Sequence, residues 1–275
     1  MKRIFTIIVV FTLLAGIIYS CKKDDNSTPS NSVQTNFAQN IALIQGVYTH
    51  VFNLVTQASN DTLIMNGGIG HLDGATVTYN STSHTFTFNY SLTKSTNTTG
   101  GIFMATVSNG NIKDSAATCH ITFNGYNING YSVQGTNDII NMGGSSTKIF
   151  SDSVSNTRVI KGNDTTNFSA LYHIEWDNGA LTSTISDDQF TFQGNFSAYN
   201  NSSCSVTGSI SPANKLKITT QCQYIVYGII NMVMNSLNSS NQNVTNNIDI
   251  DFISADGCNS QVNVTVDNTQ YSFPL

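Results

Sequence analysis

Charge is scarce in this chain. Of 275 residues only 10% are charged, 11 basic against 16 acidic, which leaves a net charge of −5. No basic patch exists, so nucleic acid is excluded as a partner class. There is one glutamate, Glu175, and one tryptophan, Trp176. So few carboxylates restrict paired-carboxylate chemistry. The cysteines contain no C-x-x-C spacing, which argues against a zinc centre. No G-x-S-x-G elbow is present, although serine and aspartate are abundant. The apolar run Ile4–Ile18 is shorter than the about 20 residues that a membrane span needs.

What is there is Asn, Ser, Thr and Gly, with apolar and aromatic residues recurring at strand spacing. That recurrence separates the chain from disordered low-charge sequences. It suits antiparallel sheet with one wet face.

The start of the chain reads as an export signal over residues 1–20. Met1-Lys2-Arg3 is basic, Ile4–Ile18 is apolar, and small Ser20 precedes Cys21. Ser20-Cys21 resembles the lipobox of bacterial lipoproteins, which implies cleavage before Cys21 and acylation of that residue. The acyl chains would anchor the protein in membrane lipid. Lys22-Lys23-Asp24-Asp25 resembles the start of many Bacteroidota lipoproteins, in which acidic residues after the cysteine favour export to the cell surface. The expected location is therefore the outer membrane, lipid-anchored and exposed. Residues 21–35 are expected to form a flexible tether.

Phe37, Ile41, Ile44, Val47 or Tyr48, Val51 and Val55 recur at steps of three and four, which predicts a helix over 36–59, with Gly46 inside it. This stripe is expected to pack against a sheet. Residues 60–275 are expected to be β-rich. Phe86, Phe88 and Tyr90 alternate with Thr85, Thr87 and Asn89, a half-buried strand. Asn124-Gly125, Asn129-Gly130 and Asn178-Gly179 read as turns. Cys222–Met234 is nearly all apolar and is expected to be a central strand, followed by a polar loop over 237–247. An echo of Asp73-Gly74-Ala75-Thr76-Val77 near Asp256-Gly257 suggests duplication. The predicted class is all-β, a mainly antiparallel sandwich with one N-terminal helix. It is either one large unit or two related β units, with halves at 60–163 and 164–275.

Cys119, Cys204, Cys222 and Cys258 remain after Cys21; behind an export signal an even number favours disulfides, with three possible connectivities.

Trp176-Asp177-Asn178-Gly179, Asp187-Asp188-Gln189-Phe190, Cys222, Asp251-Phe252 and Asp256-Gly257-Cys258 occur in that order. The series resembles a group of uncharacterised Bacteroidota surface lipoproteins with W-x-x-G, D-D-x-F and D-F…D-G-x-C motifs. Two departures stand out: Asn259-Ser260 where Asp-Asn is common, and no Gly after Phe252. The resemblance implies a Cys222–Cys258 disulfide, because those cysteines travel together in the group, with Cys119–Cys204 as the companion pair. It implies no activity and no catalytic residues.

Three functional readings follow. In the first, the protein is a non-catalytic module for a glycan or a surface protein, with Trp176, Glu175 and Asp177 at the ligand. In the second, it is a glycan hydrolase pairing Glu175 with Asp187 or Asp188 across a cleft. In the third, a closed barrel makes a lipocalin-like carrier. Asp249, Asp251 and Asp256 lie close enough in sequence to suggest a Ca²⁺ site, though not at EF-hand spacing. No other cofactor is expected. Of the histidines, only His71-Leu72-Asp73 and Cys119-His120 have suggestive neighbours.

Overall fold

The computed structural model describes residues 30–90, 99–108, 110–144, 148–182, 184–201, 204–237, 240–252, 258 and 260–275. Cys21, the export signal, most of the tether and Asp256 lie outside the described residues.

Among the described residues a single long helix, α1 (Ser30–Asn60), comes first. It begins six residues before the expected start, so residues 30–35 belong to the helix and not to the tether. The side chain of Gln34, in this added stretch, donates to Asn246 at 2.7 Å. Asp61 then caps a short second helix, α2 (Thr62–Met65), by accepting from the backbone N–H groups of Leu63 and Ile64.

Among the described residues fifteen strands follow: β1 (Gly70–Leu72), β2 (Ala75–Asn80), β3 (Thr85–Tyr90), β4 (Thr99–Val107), β5 (Thr118–Ile128), β6 (Tyr131–Asn141), β7 (Ile149–Lys161), β8 (Asp164–Asn178), β9 (Gln189–Asn200), β10 (Ser205–Ile210), β11 (Leu216–Thr219), β12 (Ile229–Leu237), β13 (Asn243–Asp251), β14 (Gln261–Val266) and β15 (Thr269–Pro274). Each pairs antiparallel with the next in one continuous sheet, except that β10 and β11 both pair with β9 and the order passes from β10 to β12. The turns are tight. Asp73-Gly74 joins β1 to β2 and Asn129-Gly130 joins β5 to β6, all four at positive φ, as two-residue hairpin turns require.

The fold is all-β with one N-terminal helix, as expected, but the helix does not lie on the outside. Residues all round it are buried, from Phe37 and Ile41 to Thr49, Asn53 and Thr56. Many of its polar side chains find hydrogen-bond partners, in two ways. Thr49, Thr56 and Ser59 donate back to carbonyls one turn earlier in α1. Others reach strands far apart in the chain. Tyr131 of β6 donates to Asn40, Tyr48 bonds Thr157 of β7, Tyr172 of β8 donates to Gln45, and Gln39 donates to the Pro274 carbonyl of β15. The sheet therefore curls around α1 in a sandwich-like arrangement, with the helix as its filling. Register shifts in β4–β5, β5–β6, β6–β7, β7–β8 and β8–β9 supply the bend.

Several local expectations change. Asn124-Gly125 is no turn; it sits inside β5, at the register shift. Residues 222–228 form no strand apart from one bridge at Tyr227, and β12 starts at Ile229 with alternating burial. The expected polar loop over 237–247 contains the start of β13. Residues 161 to 164 close a hairpin of two long strands, so the sheet runs unbroken through the proposed boundary between halves. Cys222 and Cys258 form a disulfide with Cα atoms 5.5 Å apart. Cys119 and Cys204 do not form one; both thiols are buried. Along the sheet, β6 to β9 lie between them, which is roughly 24 Å at about 4.8 Å per strand, against the ~7 Å limit for a disulfide.

Candidate functional site

Strand β8 alternates, and that decides the fate of the Glu175-Trp176-Asp177 cluster. Trp176 points into the core, 5% exposed, against Phe190, and donates its indole N–H to Asp188 at 3.1 Å. The Lys113 ammonium lies over the ring at 4.5 Å. A ring so enclosed has no face left for a sugar, which removes Trp176 as a stacking platform. Glu175 points to the outer face. Lys215 donates to it at 2.7 Å and His173 lies 3.3 Å away. The Lys215 hydrogen bond holds Glu175 below its ordinary pKa, with partial burial working against it. Asp177 is exposed beside Glu175.

Glu175 and Asp188 thus lie on opposite sides of the sheet and cannot flank one glycosidic bond. Burial raises the Asp188 carboxyl to about 6, with Lys113 and Trp176 lowering it in part, but that carboxyl already serves the indole. Asp187 accepts from the Thr182 hydroxyl at 3.0 Å. A hydrolase built on Glu175 and Asp188 is not supported.

Of the expected acidic cluster, Asp249 and Asp251 lie on β13, and Asp256 lies outside the described residues. Asp249 accepts from the Asn231 amide at 2.7 Å across the β12–β13 pair. Asp251 is half-buried at the end of the strand, and burial raises its pKa. Among the described residues no group of three or more His, Cys, Asp or Glu could hold a metal ion.

Two other places have the shape of a site. The first lies on the helix. Leu43, Gly46, Val47, His50, Asn53, Leu54 and Gln57 recur at steps of three and four and so share one face of α1. That face looks onto two hollows, of about 90 Å³ and 410 Å³, which share His50, Asp73 and Gln223. His50 Nε2 is 2.9 Å from the Asp73 carboxylate, placed there by the β1–β2 turn. The ring is buried, and its Nδ1 has no hydrogen-bond partner. The disulfide lines the larger hollow. Gly46 costs about 1 kcal/mol relative to Ala in a helix interior. A Cβ added there would meet nothing within 4 Å.

The second is the outer face of β7–β13. Ser153, Leu171, Asn195, Ser209, Asn231 and Asp249 are direct cross-strand partners in sequence, one per strand. Beside that row, Asn167, Tyr199, Ser205, Asn235 and Thr245 make another. Three depressions open along these rows, of about 520, 550 and 340 Å³. Two of them share Asn195 and Ser209, and the third holds Arg158 and Tyr199. Tyr199 is 59% exposed.

Comparison with known protein families, curated proteins and solved structures finds no match for the chain. No helix among the described residues is long and apolar enough to cross a membrane.

Reasoning from sequence missed both places. The pairing of His50 with Asp73 spans 23 residues, and His71, the nearer histidine, is exposed. The helical repeat of Gly46, His50, Asn53 and Gln57 was a usable signal. For the outer face the signal was every second residue in β8–β13, which is Asn, Ser or Thr at most positions.

Proposed function

We propose that the protein is a non-catalytic, lipid-anchored surface module that binds a polysaccharide on the outer face of β7–β13. The observation that carries the reading is the registered row from Ser153 to Asp249. Its side chains stand at the strand spacing of about 4.8 Å, so the row spans about 24 Å. Short hydroxyls and amides on rigid strands lose little entropy on binding. Held at a fixed pitch, they suit a polymer that repeats its own hydroxyls. Tyr199, exposed beside Arg158, supplies the ring face that Trp176 cannot. Val233, an exposed apolar side chain on this face, stands between its polar cross-strand partners Thr207 and Asn247, unlike the continuous apolar patch of an obligate protein interface. The lipobox at Ser20-Cys21 and the acidic residues after it support the anchor and the surface location, as in the Bacteroidota lipoproteins that the chain resembles. The carrier reading loses support, because α1 fills the space a barrel ligand would occupy.

Affinity electrophoresis of the full chain through gels containing neutral polysaccharides tests the binding. Retardation by at least one polymer, weakened in Asn195→Ala and Tyr199→Ala while thermal stability holds, is expected. Migration unchanged in every polymer would refute it. Cys21→Ala should move the protein out of the membrane fraction; its retention there would refute the anchor.

A further inference from the structure

We infer that the hollow over Gly46 is a second binding site, separate from the outer face, for a compact primary ammonium group with a short apolar body. The chemistry of the lining sets both ends of this ligand. His50 is 7% exposed and lines both hollows, and its Nε2 lies 2.9 Å from the Asp73 carboxylate, which fixes that carboxylate at their shared wall. Asp73 is 38% exposed at its side chain, and among the described residues it is the one charged side chain lining the two hollows. Among the described residues neither lining contains Lys or Arg, so a cation is matched there and an anion is repelled. Asn129, Gln223 and Tyr224 line the same hollow. An ammonium has three N–H donors, and the Asp73 carboxylate is a charged acceptor for it at the wall of the hollow.

The apolar end is set by size. Leu43, Val47, Ile128, Ile225 and Leu275 wall the smaller hollow. A cavity of about 150 Å³ takes benzene. At about 90 Å³ this one has room for roughly three or four heavy atoms on the same scale. Gly46 forms part of the floor, and open space stands where its side chain would be.

The test is an NMR titration of the full chain, following the His50 ring nitrogens, with n-butylammonium, n-butanol and butyrate as probes. A saturable shift with n-butylammonium is expected, roughly tenfold or more weaker with n-butanol because the charged hydrogen bonds are gone, and none with butyrate. Gly46→Leu fills the hollow with a better helix former, so it should keep or raise the melting temperature while abolishing the shift. No saturable response to n-butylammonium, equal affinity for n-butanol, binding of butyrate, or undiminished binding in Gly46→Leu would each overturn the assignment. Polysaccharide retardation is read on the same samples and does not depend on this hollow.

Discussion

The two sides of α1 have been finished differently. On one side Tyr48 and Phe52 meet a continuous aromatic wall. Phe52 touches Phe150, Phe190 and Phe192 edge-on at centroid distances of 5.2–5.5 Å. Tyr48 stacks on Phe168 and meets Phe123 edge-to-face. On the other side Gly46, His50, Asn53 and Gln57 look onto hollows. The same helix thus serves as core on one face and as the floor of a site on the other. Close packing stabilises the fold; the place where packing stops leaves room for a ligand.

That contrast predicts unequal responses to substitution. Phe52→Ala should cost about 3–5 kcal/mol, because three ring contacts are replaced by a cavity. Gln57→Ala, on the hollow side, should change stability by no more than about 0.5 kcal/mol. Urea denaturation of both variants measures this, and equal losses would erase the distinction between the faces.

The wall side has one costly feature. Asp152 is fully buried on β7, and neither of its carboxylate oxygens has a hydrogen-bond partner. Burial lifts its pKa from 3.8 to about 8, with neighbouring Asn137 offsetting part of the rise. Above pH 4 the unfolded chain releases this proton, while the folded protein holds it until about pH 8. Stability from this group is therefore greatest below pH 4 and falls as pH rises through that window, by about 1.4 kcal/mol per unit at most. Asp152→Asn should flatten the slope in denaturation curves taken from pH 4 to 8. A slope unchanged in that variant would place its origin elsewhere.

A further effect belongs to the hollow side and has the opposite sign. Gly46→Ala should stabilise by about 1 kcal/mol, since the helix gains propensity and the added methyl meets no neighbour. A thermal melt measures it. Destabilisation would mean that the space over Gly46 is already filled.

How far these features could be read in advance differs by element. Helix α1 was legible because its period of three and four is strong, yet its start was placed at 36. Gln34 and Thr35 offer no apolar signal and are buried only because the sheet reaches them. Strands with clean alternation, such as β3, were legible. Residues 229–234 of the expected strand are in β12, but 222–228 were misread, because an apolar run does not say whether burial comes from strand packing or from a disulfide-tied segment. Trp176 was misassigned for a related reason. Alternation along β8 separates it from Glu175, but which face is the core depends on which face the helix occupies.

Local chemistry in the sequence settled the all-β class, the long helix, the paired turns and the low-charge outer surface, since each rests on propensity or period over a few residues. Tertiary structure alone decided that the sheet would wrap the helix, that Cys119 and Cys204 would lie strands apart, and that His50 would meet Asp73. Those outcomes depend on curvature summed over many small register shifts, and no short stretch of sequence carries that sum.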